Sequence, residues 1–477
     1  MLDRANVKRI HCVGIGGIGL SAIAEILMDE GFTVSGSDMM EGEKIDRLIE
    51  RGANIYLRHR AKNIDGADMV VYSAAVPQNN PEIAAAMAKG FPVVSRAQLL
   101  GSLMKRKKFS VAVAGAHGKT TTTSMISLIL MHAELDPTIL VGGNLAEIGG
   151  NVRLGGGEYF ITEACEYMDS FLSLAPRYAV ILNIDSDHLD YFKDIEHIVR
   201  SFAEFVRLVP PDGAVVAFDA NPFVTTILRG LDRRVVTYGY SDRNDYSAGD
   251  IEWDSEGFPS FTVYNKGAEL IRVKLSVPGE HNILNALAAF SCCAVMGVSH
   301  EVIADTLTKF TGTERRFDVK GVTAAGVKII DDYAHHPEEI TATIKAARMV
   351  PHRELWILFQ PHTYTRTLAL HDDFAQALAA ADKVVFAEIY AAREKNVHQI
   401  SSRTIADEIR ALDPDKDVWY FETFEEIAEF VRGKAAAGDL VITMGAGDIY
   451  KVGELILELD DEPRAKERGI IRGAPVE

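Results

Sequence analysis

The sequence predicts an α/β protein of three successive segments with mostly parallel sheets, and three observations carry that expectation. Near the start of the chain a strand runs into the glycine turn Gly14-Ile-Gly16-Gly17-Ile-Gly19. Further along, a second strand runs into Gly115-Ala116-His117-Gly118-Lys119-Thr120 and then a helix. Beyond Gly312, apolar strand-like runs alternate with helical patterns, the order in which parallel βα units are written. At 477 residues the chain exceeds what one core organises, so several domains are expected.

The first segment opens on the strand Arg9-Ile-His-Cys-Val13, and after the glycine turn Ile23, Ala24, Ile26 and Leu27 give the apolar period of a helix. A strand over 32–35 ends near Asp38, and another over 69–73 runs into Asn80-Pro-Glu82. The basic run Lys105-Arg-Lys-Lys108 reads as a linker with a solvated face. The second segment begins with the small apolar residues 111–114, the composition of a buried parallel strand. A helix follows over 121–132, with strands at 159–163, 179–184, 215–218 and 235–238, an antiparallel excursion at 261–264 and 270–275, and a helix over 282–295. In the third segment strands are expected at 327–330, 355–359, 384–387 and 440–443. Residues 461–477 are charged, contain Gly and Pro, and read as a loose tail.

The second glycine turn carries the most specific chemistry. Strand, glycine turn and helix N-terminus together make an anion site, because the first helical N–H groups have no partner inside the helix. Lys119 then faces the β/γ-phosphates of a nucleotide, and the Thr120 hydroxyl faces Mg²⁺. The loop is short: Val113 stands where the common phosphate-loop pattern has its first glycine. Oxygen ligands for the metal are sought at strand ends, where Glu163 follows one strand and Asp185, Asp187, His188 and Asp190 follow the next. Asp187 also suits a helix cap, and histidine is an unusual Mg²⁺ ligand. The first glycine turn admits a diphosphate close to the backbone, which suits NAD, with Asp38 on the ribose, as well as UDP. A diphosphate loop beside an ATP loop suits an enzyme that joins a nucleotide-linked substrate to a second molecule. A dehydrogenase and a phosphate-loop switch protein are the other readings.

Composition narrows the classes. The net charge of −18, from 50 Lys+Arg against 68 Asp+Glu, argues against general nucleic-acid binding. None of the four cysteines, Cys12, Cys165, Cys292 and Cys293, forms a C-x-x-C pair, which fits a reducing cytosol. No signal peptide is visible and no apolar run approaches the ~20 residues of a membrane helix, so a cytoplasmic protein with no membrane partner is expected.

Nine stretches in order, from "IHCVGIGGIGLSAIAEIL" through "GAHGKTTTTSMI", "TEACEYMDSFL", "LNIDSDHLDYF", "PGEHNILNALAA", "GTERRFD", "IIDDYAHHPEEI" and "LFQPHTYTRT" to "MGAGDIY", resemble the Mur ligases of peptidoglycan synthesis. The family's loop is G-x-[HN]-G-K-[ST], without the early glycine. The resemblance implies a Rossmann-like N-terminal domain over 1–104 and a central P-loop ATPase-like domain with a mostly parallel sheet over 105–312. A Rossmann-like C-terminal domain is implied over 313–460. It implies ATP and Mg²⁺ (or Mn²⁺) as cofactors and small-molecule substrates, UDP-N-acetylmuramate and L-alanine, joined through an acyl phosphate by a monomer or homodimer. Gly16, Gly17, Gly19, Ser73 and Asn80 become UDP-substrate candidates. Gly115, Ala116, His117, Gly118, Lys119, Thr120 and Thr121, with His281, Asn282, Arg316 and Asp332, become ATP candidates. Thr120, Glu163 and His188 are the implied metal ligands; Lys119, Glu163 and His188 the catalytic set; His362 and Arg366 the amino-acid site. Thr363 stands where some members carry a second arginine, and Cys165 and Tyr167 where acidic and polar residues are frequent.

Overall fold

The computed structural model describes residues 6–186, 191–392 and 394–467, with side chains of the final helix described through Leu459. Three sheets organise them. The first holds β1 (Arg9–Val13), β2 (Thr33–Asp38), β3 (Asn54–Leu57), β4 (Met69–Tyr72) and β5 (Val93–Ser95), in the order β3-β2-β1-β4-β5 and parallel throughout. Val13 pairs with Ser37 on one side and Tyr72 on the other, so the turns after β1, β2 and β4 leave the sheet at one level. The chain reverses direction across the sheet between β1 and β4, which is where α/β sheets open a crevice. The glycine turn sits there.

The second sheet has ten strands: β6 (Phe109–Ala114), β7 (Thr138–Leu145), β8 (Gly150–Arg153), β9 (Tyr159–Ala164), β10 (Tyr178–Ile181), β11 (Ala214–Phe218), β12 (Arg234–Gly239), β13 (Tyr246–Trp253), β14 (Pro259–Asn265) and β15 (Ala268–Lys274). Their order is β15-β14-β13-β12-β11-β10-β6-β9-β7-β8. β6 lies between β9 and β10, parallel to both, and Val111, Ala112, Val113 and Ala114 are fully buried. That central position is why the run reads as continuously apolar rather than alternating. The third sheet, β16 (Asp318–Val322), β17 (Lys328–Asp332), β18 (Leu355–Phe359), β19 (Lys383–Phe386), β20 (Asp417–Tyr420) and β21 (Leu440–Met444), runs β16-β17-β21-β18-β19-β20 and is parallel except for β16.

The chain packs as two compact units, one of residues 1–250, 261–273 and 284–309, the other of 251–260, 274–283 and 310–477. The first unit contains both nucleotide-type glycine turns. Its core is continuous, from Ile10 and Leu27 through Leu99, Leu100 and Leu103 to Phe171, Phe202 and Ile227. The helix Arg96–Met104 stitches the two sheets together: a Cβ on its Gly101 would lie 2.0 Å from the Ser173 carbonyl oxygen, so only glycine lets the backbones meet. The basic run is tied down as well. Lys107 Nζ donates to the Gly155 and Gly157 carbonyls at 3.1 and 2.6 Å, and Arg106 pairs with Glu30.

Several strands carry little sequence signal. β3, β5 and β20 are short, and β7 ends in Gly-Gly-Asn-Leu, so none shows the period-two alternation that marks a half-buried strand. The last helix runs Tyr450–Glu467, past the expected start of the tail at 461, because Val452, Leu455, Ile456 and Leu459 keep helical spacing against the third sheet's core. Among the described residues no helix is long and apolar enough to cross a membrane.

Candidate active site

The phosphate loop has the expected backbone. Its helix begins at Lys119, two residues before the apolar pattern suggests, and runs to His132. Gly118 caps it with φ 84°, a left-handed conformation, and a Cβ there would also lie 2.5 Å from Asn285 Oδ1. No side chain caps this helix and no acid occupies its first turn. The N–H groups of Lys119, Thr120 and Thr121 precede the first intrahelical donor, Thr122 N to Gly118 O. The positive end of the helix is therefore left for an anion.

Two residues that sequence reasoning passed over shape this loop. Asn183, just beyond β10, accepts from the His117 N–H at 2.9 Å and donates to the His117 carbonyl at 3.1 Å, bracketing the loop from the neighbouring strand. Glu166 meets Lys119: its two oxygens lie 3.1 and 3.2 Å from Nζ, and the ammonium also donates to the Gly115 and Ala116 carbonyls. Burial pushes the Lys119 ammonium down, but Glu166, with Cys165 and Glu163 behind it, more than offsets this and holds it above its ordinary value. Glu166 was legible as a second carboxylate three positions after Glu163; Asn183 was legible only as the first polar residue after a strand.

Glu163 stands in β9 opposite Val113, with its Oε1 accepting from Gly142 N at 2.5 Å. A Cβ on Gly142 would lie 2.8 Å from both carboxylate oxygens, so β7 approaches this acid through a glycine. Glu163 lines a cavity of about 320 Å³ together with Gly142, Cys165 and, from the first sheet, Gly17, Gly19 and Ser73. Arg96, another residue the sequence reading left aside, lines the same cavity. The first glycine turn and the Glu163 carboxylate thus open on one space. His188 lies outside the described residues, as do Asp187 and Asp190.

At the first turn, Gly17 caps the helix Ile18–Asp29 with no side-chain cap and no acid in the first turn, again an anion-accepting end. Asp38 Oδ2 accepts from Gly16 N at 2.8 Å and Oδ1 from Met39 N at 2.7 Å. Its carboxylate closes the turn rather than standing free for a ribose. Asn80 is buried, and its side chain accepts from Glu82 N as the cap of the helix Pro81–Ala88.

The second unit gathers its own constellation. Asp332, at the end of β17, accepts from the N–H groups of Phe317 and Ala334 at 2.8 Å each. Burial lifts its carboxyl to about 6, against the pull of Arg316. Arg316 stacks over Tyr333 and lies 3.7 Å from Glu339. His362 stacks on Tyr390 at 5.5 Å and stands 6.1 Å from the His335 ring. Burial, reinforced by Arg366, pushes both imidazoles down to about 4, so both are neutral at pH 7. Thr363, between His362 and Arg366, is held at φ 67°, a strained conformation for a β-branched residue, with its N–H on the Tyr390 carbonyl at 2.9 Å. His336 caps the helix Pro337–Met349 from its backbone alone. Asn282 is buried with its side chain on the Pro278 carbonyl, and His281 beside it is exposed.

Comparison with known proteins shows the family. The family descriptions "Mur ligase family, catalytic domain", "Mur ligase middle domain" and "Mur ligase, glutamate ligase domain" match residues 9–108, 113–293 and 315–447. The chain is 51% identical over 457 residues to the UDP-N-acetylmuramate–L-alanine ligase of Caldanaerobacter subterraneus, covering 96% of this chain and 99% of that one. It is 50% identical to the enzyme of that name from Acetivibrio thermocellus, covering 96% and 97%. The crystal structure of the Thermotoga maritima UDP-N-acetylmuramate–alanine ligase superposes with a TM-score of 0.80 at 30% identity, over 95% of this chain and 99% of that one. A murein peptide ligase from Psychrobacter arcticus gives 0.71 at 26% identity, over 95% and 98%.

Proposed function

Since this chain belongs to the Mur ligase family, we propose that it is the peptidoglycan-precursor ligase that joins L-alanine to the carboxylate of UDP-N-acetylmuramate at the expense of ATP. The products are UDP-N-acetylmuramoyl-L-alanine, ADP and phosphate. The observation that carries this reading is the cavity shared by Gly17, Gly19 and Ser73 with Gly142 and Glu163. It gives a nucleotide sugar anchored at the first glycine turn a path for its carboxylate toward the phosphate-loop side.

A carboxylate is a poor acyl donor because oxide would have to leave. Transfer of the γ-phosphoryl group makes an acyl phosphate; the alanine amine attacks its carbonyl, and phosphate leaves from the tetrahedral intermediate. Positioning and charge neutralisation dominate such chemistry. Lys119 and the helix N–H groups of residues 119–121 receive the triphosphate. Thr120 and Glu163 offer hard oxygen donors, the set that suits Mg²⁺. When bound, that ion offsets the charge of the phosphoryl oxygens. The Gly142 N–H holds the Glu163 carboxylate in place. Arg316 and Asp332 remain nucleotide candidates of the family pattern, and within the second unit Arg366 takes the amino-acid carboxylate beside neutral His362. The reaction belongs in the cytoplasm, with small-molecule partners and a monomer or homodimer as the working form.

The test is product identity. Protein incubated with ATP, Mg²⁺, UDP-N-acetylmuramate and L-alanine yields a species heavier than the nucleotide sugar by one alanyl residue. A product that forms only with a tripeptide shifts the assignment to a murein peptide ligase.

A further inference from the structure

We propose that Glu166 is the counter-ion that stows the phosphate-loop lysine until nucleotide arrives, so that ATP binds by exchanging with this carboxylate for Lys119. The inference rests on the assignment of Lys119 to the ATP phosphates and adds a residue to that site.

An ammonium has three donors and no acceptor. Those of Lys119 are occupied within the protein, on the Gly115 and Ala116 carbonyls and on both oxygens of Glu166. The lysine side chain is 17% exposed and that of Glu166 4%, so the pair is screened from water rather than being a loose surface contact. Folded back in this way, Lys119 reaches no phosphate without leaving its acid. The acid, in contrast, is fixed. Met168 and Asp169 both adopt left-handed backbone, at φ 53° and 55°, in the turn that follows it. That turn is closed by Asp169 N on the Glu166 carbonyl at 2.9 Å, and by Ser170 Oγ and Phe171 N on the Cys165 carbonyl at 2.8 and 3.0 Å. The Asp169 carboxylate is itself held by Tyr191 OH at 2.6 Å and by Ser201 Oγ. Two consecutive non-glycine residues in this conformation persist only where surrounding contacts enforce them. They fix the backbone that carries Glu166, and the longer lysine side chain is the member that moves.

Such an exchange has consequences at both ends of a turnover. An empty loop is kept from inorganic phosphate and other weak anions, because only a polyphosphate with enough charge outcompetes a buried carboxylate. After transfer, ADP offers less charge than ATP, and Glu166 recaptures the lysine and favours its release. Glu166 is therefore a positioning residue, acting through Lys119.

The experiment is a double-mutant cycle on nucleotide affinity, measured by calorimetry with the non-hydrolysable ATP analogue and Mg²⁺. Glu166→Gln keeps the shape and removes the competitor. It is expected to bind the analogue about tenfold tighter and to show stronger product inhibition by ADP, with UDP-N-acetylmuramate affinity unchanged. A merely structural role would weaken binding instead. In a Lys119→Met background the same change is expected to alter affinity less than twofold. A gain of equal size with and without the lysine means plain charge repulsion and overturns the exchange, as does a Glu166→Gln protein whose affinity is unchanged or weaker. If the glutamine variant fails to fold, Glu166→Asp, with a shorter reach to the lysine, takes its place and is expected to tighten binding two- to fivefold; no tightening overturns the proposal. Wild-type protein that binds no ATP analogue at all overturns instead the functional assignment on which the proposal rests.

Discussion

Lys119 sits at the junction of everything the nucleotide loop offers: the uncapped helix start, the carbonyls of its own turn and the Glu166 carboxylate. Lys119→Ala is expected to abolish ATP-dependent product, by at least a hundredfold, while UDP-N-acetylmuramate affinity stays unchanged. Undiminished turnover in that variant removes the loop from the mechanism. Gly142 is the second position where a single atom decides. A methyl group 2.8 Å from both Glu163 oxygens forces the acid away from β7. Gly142→Ala is expected to raise the Mg²⁺ concentration needed for half-maximal rate severalfold; an unaltered metal titration contradicts the role given to Glu163. At this scale the sequence was readable wherever the chemistry is local. Gly118, Lys119 and Thr120 are neighbours in the chain, and their N–H groups follow from helix geometry alone. Asn183 clamps His117 from 66 positions away, and that contact exists only because β10 pairs with β6. Asp38 shows the converse: an acid at ribose spacing, whose carboxylate the turn's own N–H groups have already claimed.

Among the elements, the first sheet hides a polar network beneath its apolar pattern. Glu82 is fully buried and accepts from Ser37 Oγ at 2.5 Å, Asn63 Nδ2 at 2.6 Å and Arg60 N at 3.0 Å, with His11 at 3.4 Å. Burial pushes this carboxyl up, but donation from His11, Ser37 and the Arg60 N–H outweighs it and carries it down to about 2. A carboxyl lowered on folding stabilises the fold above its unfolded value of ~4.3 and loses that contribution as the pH falls toward 2. Glu82→Gln is expected to cost about 2–4 kcal/mol at pH 7. The variant should also lose part of the wild-type decline in unfolding midpoint between pH 5 and 3. Parallel declines in the two proteins contradict the network. His11 and Glu82 lie 71 positions apart, and no period in either segment announces the pair. What the elements did announce was their apolar faces. β18 and β21 are buried along their whole lengths and read as strands from composition, whereas β16 and β20 at the edges of the same sheet carry polar residues and do not.

Over the whole molecule, three segments were legible because the first two each carry a strand running into a glycine turn and the third alternates apolar strand-like runs with helical patterns. The packing between the first two was not. Gly101 against the Ser173 carbonyl, and Leu99, Leu100 and Leu103 against Phe171, make one core of the first two sheets. Side chains on a single short helix thereby decide what the sequence presents as a boundary. The consequence is functional: one unit holds both glycine turns, and Glu163 shares a cavity with Gly17, Gly19 and Ser73. The second unit keeps a separate set of charged and neutral groups, with Arg316, Asp332, His335 and His362 at the ends of its strands. The central claim is that ATP cleavage here is coupled to forming a bond between an amino acid and a nucleotide-sugar carboxylate. The direct measurement is ADP release with UDP-N-acetylmuramate present and glycine, L-serine or L-alanine supplied in turn. The account predicts release that requires the nucleotide sugar and is fastest with L-alanine; release that continues at the same rate without either acceptor contradicts it.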